Sequence, residues 1–519
     1  MNLKVILEQA AKRYGEKTAV ALGKLRLSYT ELDEDSNRIA NALIAMGVSK
    51  GDRVAMLLPD SPQFAVIYFG VVKIGAIAVP LDTKYKIREL TSLFSHCKPK
   101  VLVTESPYLE PLLPFLPAFR YIERVIDLSA KGNGQFLGYQ VIMAKGSAQR
   151  VELEPKPTDV AHIAYTSGPA FRPKGVMLTH THLVKAIKIS ACGFQQTDRD
   201  IVMLFALPMH HAVGLVVILL TSIGKGSTVI KLPGLSIEGL METIEREKAT
   251  IFMGVPYIHA LIVKKAMEEG IAHDLSSLRI CASAGAPLPI NIIEQFERHL
   301  GLRLIQFYGL TEGTAHVTCQ DVDGSGKLGS VGQALPGWRV KVVDDNGQKL
   351  PPNRPGEIAI RGPIMKGYYK NPQASARAIK HGWLYTGDIG RLDEDGHLFI
   401  LGLKKEVIIV KGQNIYPSDI EALLLAHPKV AEVAVVGVPG GMRGEAVGAA
   451  IRLKTGETAT EQEIKKFCLE RIANYKVPKQ VIFLDSLPKT ADGKMQKQAL
   501  KGYLLTVYST SKAEEKLVS

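Results

Sequence analysis

Cysteine is scarce in this 519-residue chain, which has five. Cys97, Cys192, Cys281, Cys319 and Cys468 stand far apart, with no C-x-x-C pair and no histidine–cysteine metal spacing. They read as small buried hydrophobes in a reducing compartment. Long apolar runs are also missing. The longest, 213–223, is about half of the roughly 20 residues that a membrane-spanning helix needs, so it reads as a buried core helix and no integral membrane segment is expected. The first residues, MNLKVILEQAAKRYGEK, mix charge with apolar residues and lack a signal-peptide core, which makes the cytoplasm the expected location. No repeat, low-complexity tract or basic arm is present, and no nucleic-acid-binding module appears, so no nucleic-acid partner is expected.

What the chain does have is the composition of a folded protein: 46% hydrophobic and 22% charged residues, far from the signature of disorder. Its length calls for two or more domains. The net charge of +13, spread along the chain, fits a solvated basic surface and anionic small-molecule substrates. An oligomer is possible, but its state is not written in these residues.

From the start to about residue 120, an amphipathic helical pattern such as 31–46 alternates with β-rich runs such as 53–58 and 76–80. This alternation predicts a layered α/β sheet. The stretch 130–157, rich in glycine, lysine and proline, reads as a surface connection. Alternation resumes at 229–232, 251–255 and 278–282, so the same sheet is expected to continue. Beyond Gly301 the pattern turns to strands and tight turns, 340–343, 357–361 and 393–396 among them, which predicts a β-rich subregion. A new alternating unit starts near Gly402. The expected organisation is therefore a large α/β domain over 1–401 and a small, mobile α+β domain over 402–519.

The stretch most suggestive of chemistry is YTSGPAFRPKG at 165–175, which follows a strand-like run and precedes a helix expected after Thr179. Hydroxyls, backbone N–H groups and a lysine in such a turn suit a polyphosphate. It is not a Walker A loop, because Pro173 takes the glycine position before Lys174 and Gly175 stands where a magnesium-binding hydroxyl belongs.

In its frame, this loop resembles the phosphate loop of the adenylate-forming superfamily, the AMP-forming acyl-CoA synthetases together with luciferases and peptide-synthetase adenylation domains. The centre departs from it: Pro169, Ala170 and Phe171 replace Thr-Thr-Gly and remove two hydroxyls and a backbone donor. Further segments similar to the family's motifs follow in order, from LSYTEL at 27–32 to LPKTADGK at 487–494. The resemblance implies that Thr166, Ser167, Gly168 and Lys174 meet the nucleotide's phosphates. In LPMHHAVGL, 207–215, it implies that His211 rather than His210 lies beside the acyl carboxylate. SAGAPL at 283–288 and QFYGLTE at 306–312 would line the nucleotide with Gly285, Ala286, Pro287, Gln306, Phe307, Tyr308 and Gly309. Thr311 would bond the α-phosphate and Glu312 would hold Mg²⁺, a hard cation that prefers carboxylate oxygen. In GWLYTGD at 382–388, Asp388 would accept hydrogen bonds from the ribose. GEIAIRGP at 356–363 and Gly367-Tyr368-Tyr369 match scaffold.

At 402–405 the residues are Gly-Leu-Lys-Lys, and Leu403 replaces an arginine that in the family touches ribose. By the same resemblance Lys405 is the hinge, Lys411, Gly412 and Gln413 belong to the loop that swings in for thioester formation, and Lys494 is the adenylation lysine. The implied reaction uses ATP, Mg²⁺ and coenzyme A. It joins a carboxylic acid to AMP with loss of pyrophosphate, then passes the acyl group to CoA. Segments 212–220, 252–261 and 304–307 carry few charges, which favours a fatty, alicyclic or aromatic acid. The departures at 169–171 and 403 keep alternatives in view: a ligase that runs mainly in reverse or acylates a carrier protein, or a nucleotide- or acyl-binding paralogue with weakened catalysis.

Overall fold

The computed structural model describes residues 1–129, 136–166, 173–285, 288, 290–324, 326–404, 408–410, 412–415, 417–440, 444–488, 496–497 and 499–507. The chain divides into two units. One comprises 1–83, 94–166 and 174–404; the other is drawn from 84–93, 173 and the described residues beyond 404.

The first unit is layered α/β as expected, but the alternating runs build two sheets instead of one. Strands Arg53–Leu57, Ile77–Pro80, Val101–Thr104 and Arg124–Asp127 run parallel in an eight-stranded sheet, with the hairpin Val160–Thr166 and Lys174–Thr179 towards one edge. From Ile201–Leu204 onward the runs join a nine-stranded sheet, whose parallel centre includes Thr228–Lys231, Ile251–Gly254, Ile280–Ser283 and Leu304–Tyr308. Strand Thr18–Leu22, from the start of the chain, pairs with Thr228–Lys231 in this second sheet. The central strands are buried throughout, which is why they read as continuous apolar runs. The β-rich subregion is a third, five-stranded sheet that includes Arg339–Val343, Gly356–Arg361, Trp383–Leu392 and Leu398–Leu403.

Helix Tyr29–Ala45 begins with a capping box, Ser28 accepting from the Glu31 N–H and Glu31 reaching back to the Ser28 N–H. It packs on helix Pro62–Lys73, which carries Ser61 as its N-cap and is buried almost all round. The two backbones come close at Gly70, where a Cβ would lie 2.5 Å from Ile39 Cγ2 and 3.0 Å from the Ser36 carbonyl oxygen. Lys73, fully buried, donates to Asp33 Oδ1 at 2.7 Å and to Asn37 Oδ1 at 2.5 Å, so its charge is partnered inside the layer.

Two expectations need correction and one, the buried core helix, is refined. Within 130–157 the described residues include a helix, Tyr139–Lys145, with Tyr139 and Ile142 buried; two apolar anchors seat two turns but are too few to register as periodicity. The run 213–223 is buried, yet Val213–Leu220 is a π-helix, continued by the short α-helix Thr221–Lys225. Cys192 is exposed, while the other four free cysteines are buried.

The second unit has its own apolar core, formed by residues that include Ile408, Ile420, Leu424, Val435, Ala449, Ile451 and Ile464. Strands Val430–Pro439 and Glu445–Leu453 pair antiparallel, Gln480–Phe483 adds in parallel, and Ile408–Val410 forms a hairpin with Gln413–Ile415. Among the described residues, no helix is long and apolar enough to cross a membrane.

Gly70→Ala inserts a methyl group where two helices touch, and overpacking of this kind costs about 1–3 kcal/mol. The urea midpoint of the variant is expected to fall with no change in the steepness of the transition; an unchanged midpoint would mean that the helices separate freely at this position.

Candidate active site

The loop of 165–175 is held by strands on both sides. Thr166 pairs with Lys174 and Tyr165 with Gly175, and the chain returns as strand Lys174–Thr179 before helix His180–Gly193 begins. The loop therefore opens no helix, and the dipole of a helix N-terminus does not follow it directly. Ser167, Gly168 and the departures Pro169, Ala170 and Phe171 lie outside the described residues. Gly175 is needed where it stands, because a Cβ there would lie 2.7 Å from Ile163 Cγ2. Tyr165 is anchored through its hydroxyl to His96 Nδ1 at 2.7 Å.

Strand Leu304–Tyr308 presents alternate residues to opposite faces. Phe307 turns into the core against Phe194 and His316. Gln306 is buried; its backbone N–H donates to Gln320 Oε1 and its Nε2 to the Ser330 carbonyl oxygen. Tyr308 points the other way, and its hydroxyl donates to Asp388 Oδ2 at 2.5 Å. Gly309 leaves no room for a side chain, since a Cβ would meet the Ala315 carbonyl oxygen at 2.1 Å. Thr311 and Glu312 open a short 3₁₀ turn, Thr311–Gly313, that has no side-chain cap. Thr314 and Ala315 directly after it are both left-handed, a strained backbone for non-glycine residues.

Glu312 Oε1 accepts from the Tyr368 hydroxyl at 2.9 Å, and Lys174 Nζ lies 5.1 Å from the centre of the Tyr368 ring. Lys174, Tyr368, Glu312, Tyr308 and Asp388, from four separate segments of the sequence, thus form one cluster. Tyr368 was expected as scaffold; nothing in its local pattern marks it as a neighbour of Glu312. The Asp388 carboxyl is pushed up to about 6 by burial and by the negative charges of Glu312 and Glu357, against the Tyr308 hydrogen bond, which favours the carboxylate.

Strand register sets Asp388 opposite Leu403, and the Lys404 N–H donates to the Gly387 carbonyl oxygen at 2.6 Å. Lys404 Nζ is tied to Glu357 Oε2 at 2.8 Å. Gly285, left-handed, follows strand Ile280–Ser283; Ala286 and Pro287 lie outside the described residues. His211 is exposed in the loop after strand Ile201–Leu204, its ring centre 4.6 Å from that of His210. In the second unit Gly412 is left-handed and Gln413 sits in a strand with its Oε1 buried and without a hydrogen bond, while Lys405, Lys411 and Lys494 lie outside the described residues. Asp393, Asp395 and His397 are the described residues grouped closely enough to hold a cation, but Lys327 Nζ already bridges the two carboxylates at 2.7 and 2.5 Å.

The description AMP-binding enzyme matches residues 7–369, and AMP-binding enzyme C-terminal domain matches 419–494. The chain belongs to the AMP-binding enzyme family. It is an AMP-forming acyl-CoA synthetase of the adenylate-forming superfamily, an acid–thiol ligase that activates a carboxylic acid with ATP and transfers the acyl group to CoA. The long-chain-fatty-acid–CoA ligase of Bacillus subtilis is 31% identical, across 96% of this chain and 94% of the relative. The oxalate–CoA ligase of Arabidopsis thaliana is 32% identical, across 97% of this chain and 99% of the relative. The solved structure of a double mutant of o-succinylbenzoate CoA synthetase from Bacillus subtilis, bound to its product analogue, has 30% identity and a TM-score of 0.85 over 96% of this chain and 97% of that one. A long-chain acid and oxalate are chemical opposites at nearly equal identity, so overall similarity does not choose the acid.

In this acyl-CoA synthetase the Asp388 carboxyl is expected to titrate near pH 6, a value readable from its carbon chemical shift in NMR. Tyr308→Phe removes a hydrogen bond that favours the carboxylate, so the midpoint is expected to move up. A midpoint unmoved or lowered in the variant would show that the hydroxyl does not govern this charge.

Proposed function

We propose that this acyl-CoA synthetase activates an apolar monocarboxylic acid, fatty, alicyclic or aromatic, at the cluster formed by Lys174, Glu312, Tyr308 and Asp388. The observation that carries this reading is the pair of hydrogen bonds, Tyr308 to Asp388 and Tyr368 to Glu312, which joins motifs far apart in sequence into one polar group. In its ionised form Asp388 accepts from the ribose hydroxyls, with Tyr308 beside the adenine. Lys174, Thr166 and Thr311 bind phosphate oxygens, with Ser167 and Gly168 in the loop between. Gly285, Ala286, Pro287 and Gly309 let the backbone approach the nucleotide, with Gln306 on the face of Tyr308 and Phe307 holding the strand from the core side.

Glu312 fits a magnesium ion, being a carboxylate whose Oε1 accepts from a neutral hydroxyl and which stands near a second carboxylate, Asp388. Such an ion, held by Glu312 and the phosphates, would offset phosphate charge. The acid's carboxylate oxygen attacks the α-phosphorus, the bond to pyrophosphate breaks, and Lys494 steadies the charge that develops between them. His211 borders the acyl carboxylate. The small C-terminal domain, from about residue 402, turns about Lys405 and brings Lys411, Gly412 and Gln413 towards the adenylate. The CoA thiolate then attacks the acyl carbon, a C–S bond forms, and AMP leaves.

The apolar acid is supported by the buried segment Val213–Leu220 and by Phe252, Ile258 and Phe307, all without charge. The free cysteines support a cytoplasmic location. Leu403, opposite Asp388 in register, carries no donor for the ribose, which favours weaker binding of the nucleotide, ATP and AMP alike.

Pyrophosphate release with ATP, Mg²⁺ and short-chain, long-chain, cyclic and aromatic acids, with and without CoA, tests the reading. Acid-dependent release is expected, with thioester appearing when CoA is present. Lys494→Ala is expected to slow the adenylation step by about 10²–10³-fold, the cost of losing one charge-stabilising group, while leaving CoA transfer from supplied acyl-AMP intact. No release with any of the acids, together with ATP formation from acyl-CoA, AMP and pyrophosphate, would replace it with the reverse-running ligase.

A further inference from the structure

The loop 205–212 is held more firmly than its exposed histidine requires. It leaves strand Ile201–Leu204 through Ala206, a left-handed alanine with φ of 58°, and enters the π-helix Val213–Leu220. Both features cost energy and persist where surrounding contacts enforce them. Gly214 touches the loop from behind; a Cβ there would lie 2.2 Å from the Pro208 carbonyl oxygen. The His211 N–H donates to that same oxygen at 3.0 Å, and the His211 carbonyl oxygen accepts from the Leu215 N–H at 2.9 Å.

Two carboxylates reach the loop from the other sheet. Asp60 follows strand Arg53–Leu57 and Asp82 follows the adjacent parallel strand Ile77–Pro80. Asp60 Oδ1 accepts the Met209 N–H at 2.7 Å, and its Oδ2 lies 3.8 Å from Lys231 Nζ. Asp82 is 2% exposed, and its Oδ2 lies 3.7 Å from His210 Nε2, a buried nitrogen that makes no hydrogen bond. The His210 ring in turn lies against that of His211. A buried carboxylate facing an imidazole adds little stability, because desolvation offsets the attraction, whereas it does restrict position.

We infer that Asp60 and Asp82 are positioning residues for the acid-activation step: Asp60 through the Met209 amide and Asp82 through His210 fix where His211 meets the acyl carboxylate. The inference rests on the reading that His211 borders that carboxylate. A shift of 1 Å at a reacting group can cost about 10²-fold in rate, so a neutral residue in place of Asp82 has a measurable consequence for activity. Because both aspartates act through His211, their effect vanishes once His211 is gone.

The experiment is a double-mutant cycle on acid-dependent pyrophosphate release, using the full chain and an acid that the wild type accepts. Asp82→Asn is expected to lower kcat about tenfold and raise KM for the acid, with KM for ATP unchanged. His211→Ala is expected to be slower still, and Asp82→Asn combined with His211→Ala to be no slower than His211→Ala alone. Additive losses, or an Asp82→Asn enzyme with wild-type kcat and KM, would overturn the inference. Should Asp82→Asn not fold, His210→Phe takes its place in the same cycle, with the same two outcomes. A wild type that releases no pyrophosphate with any acid counts against the activation reading itself, and thus separates the two failures.

Discussion

The hydrogen bond from Tyr308 to Asp388 is the contact on which the candidate site depends. Tyr308 ends a strand of the nine-stranded sheet and Asp388 lies in the five-stranded sheet, so one phenol links the two layers, beside the backbone bonds of Val331 and Gly332 with Leu398. It also sets the site's electrostatics. Asp388 stands among Glu312 and Glu357 with little water, and the phenol is the donor that keeps its carboxylate within reach of neutral pH. The same pressure acts in reverse on Tyr308, whose hydroxyl is pushed well above its ordinary value by burial and by the Asp388 charge. It therefore remains a donor under all ordinary conditions.

Around that bond, most of the structural work consists of close backbone approaches. Gly175, Gly214 and Gly309 each stand where a Cβ would overlap a neighbour at less than 3 Å. Each borders a loop that carries a candidate residue: Lys174, His211 and Thr311. Glycine here acts less through its freedom of rotation than through its missing side chain, which lets one chain segment press directly on another and hold a functional loop without a bulky intermediary. The left-handed Ala206, Thr314 and Ala315 sit beside these contacts and indicate that the surrounding packing overrides local preference.

The first unit joins its two large sheets in a way that a linear reading does not reveal. The helices Tyr29–Ala45 and Pro62–Lys73 pack tightly enough to exclude a methyl group, and the buried Lys73 closes the layer with its own carboxylate and amide. Asp60 and Asp82 then lie at the ends of neighbouring strands, facing a loop from the other sheet. The candidate residue His211 and the two carboxylates that face its loop come from opposite layers, so the stability of the layers and the geometry of the candidate site are one problem.

The sequence by itself determined the alternation of helices and strands, the change to a β-rich region, the order of motifs and the membership in a family of adenylate-forming enzymes. These are local or ordered patterns: burial on one face repeats every few residues, and glycine, threonine and lysine mark turns wherever they fall. Only the tertiary structure decided that the alternating runs divide between two sheets, that 165–175 returns as a hairpin, that 139–145 is helical, and that Tyr368 belongs beside Glu312. Strand pairing joins residues as far apart as Thr18–Leu22 and Thr228–Lys231, and no local period encodes which distant strand supplies the partner. For the same reason Asp60 and Asp82 carry no signal of their own in the sequence; their meaning comes from the loop that the fold sets against them.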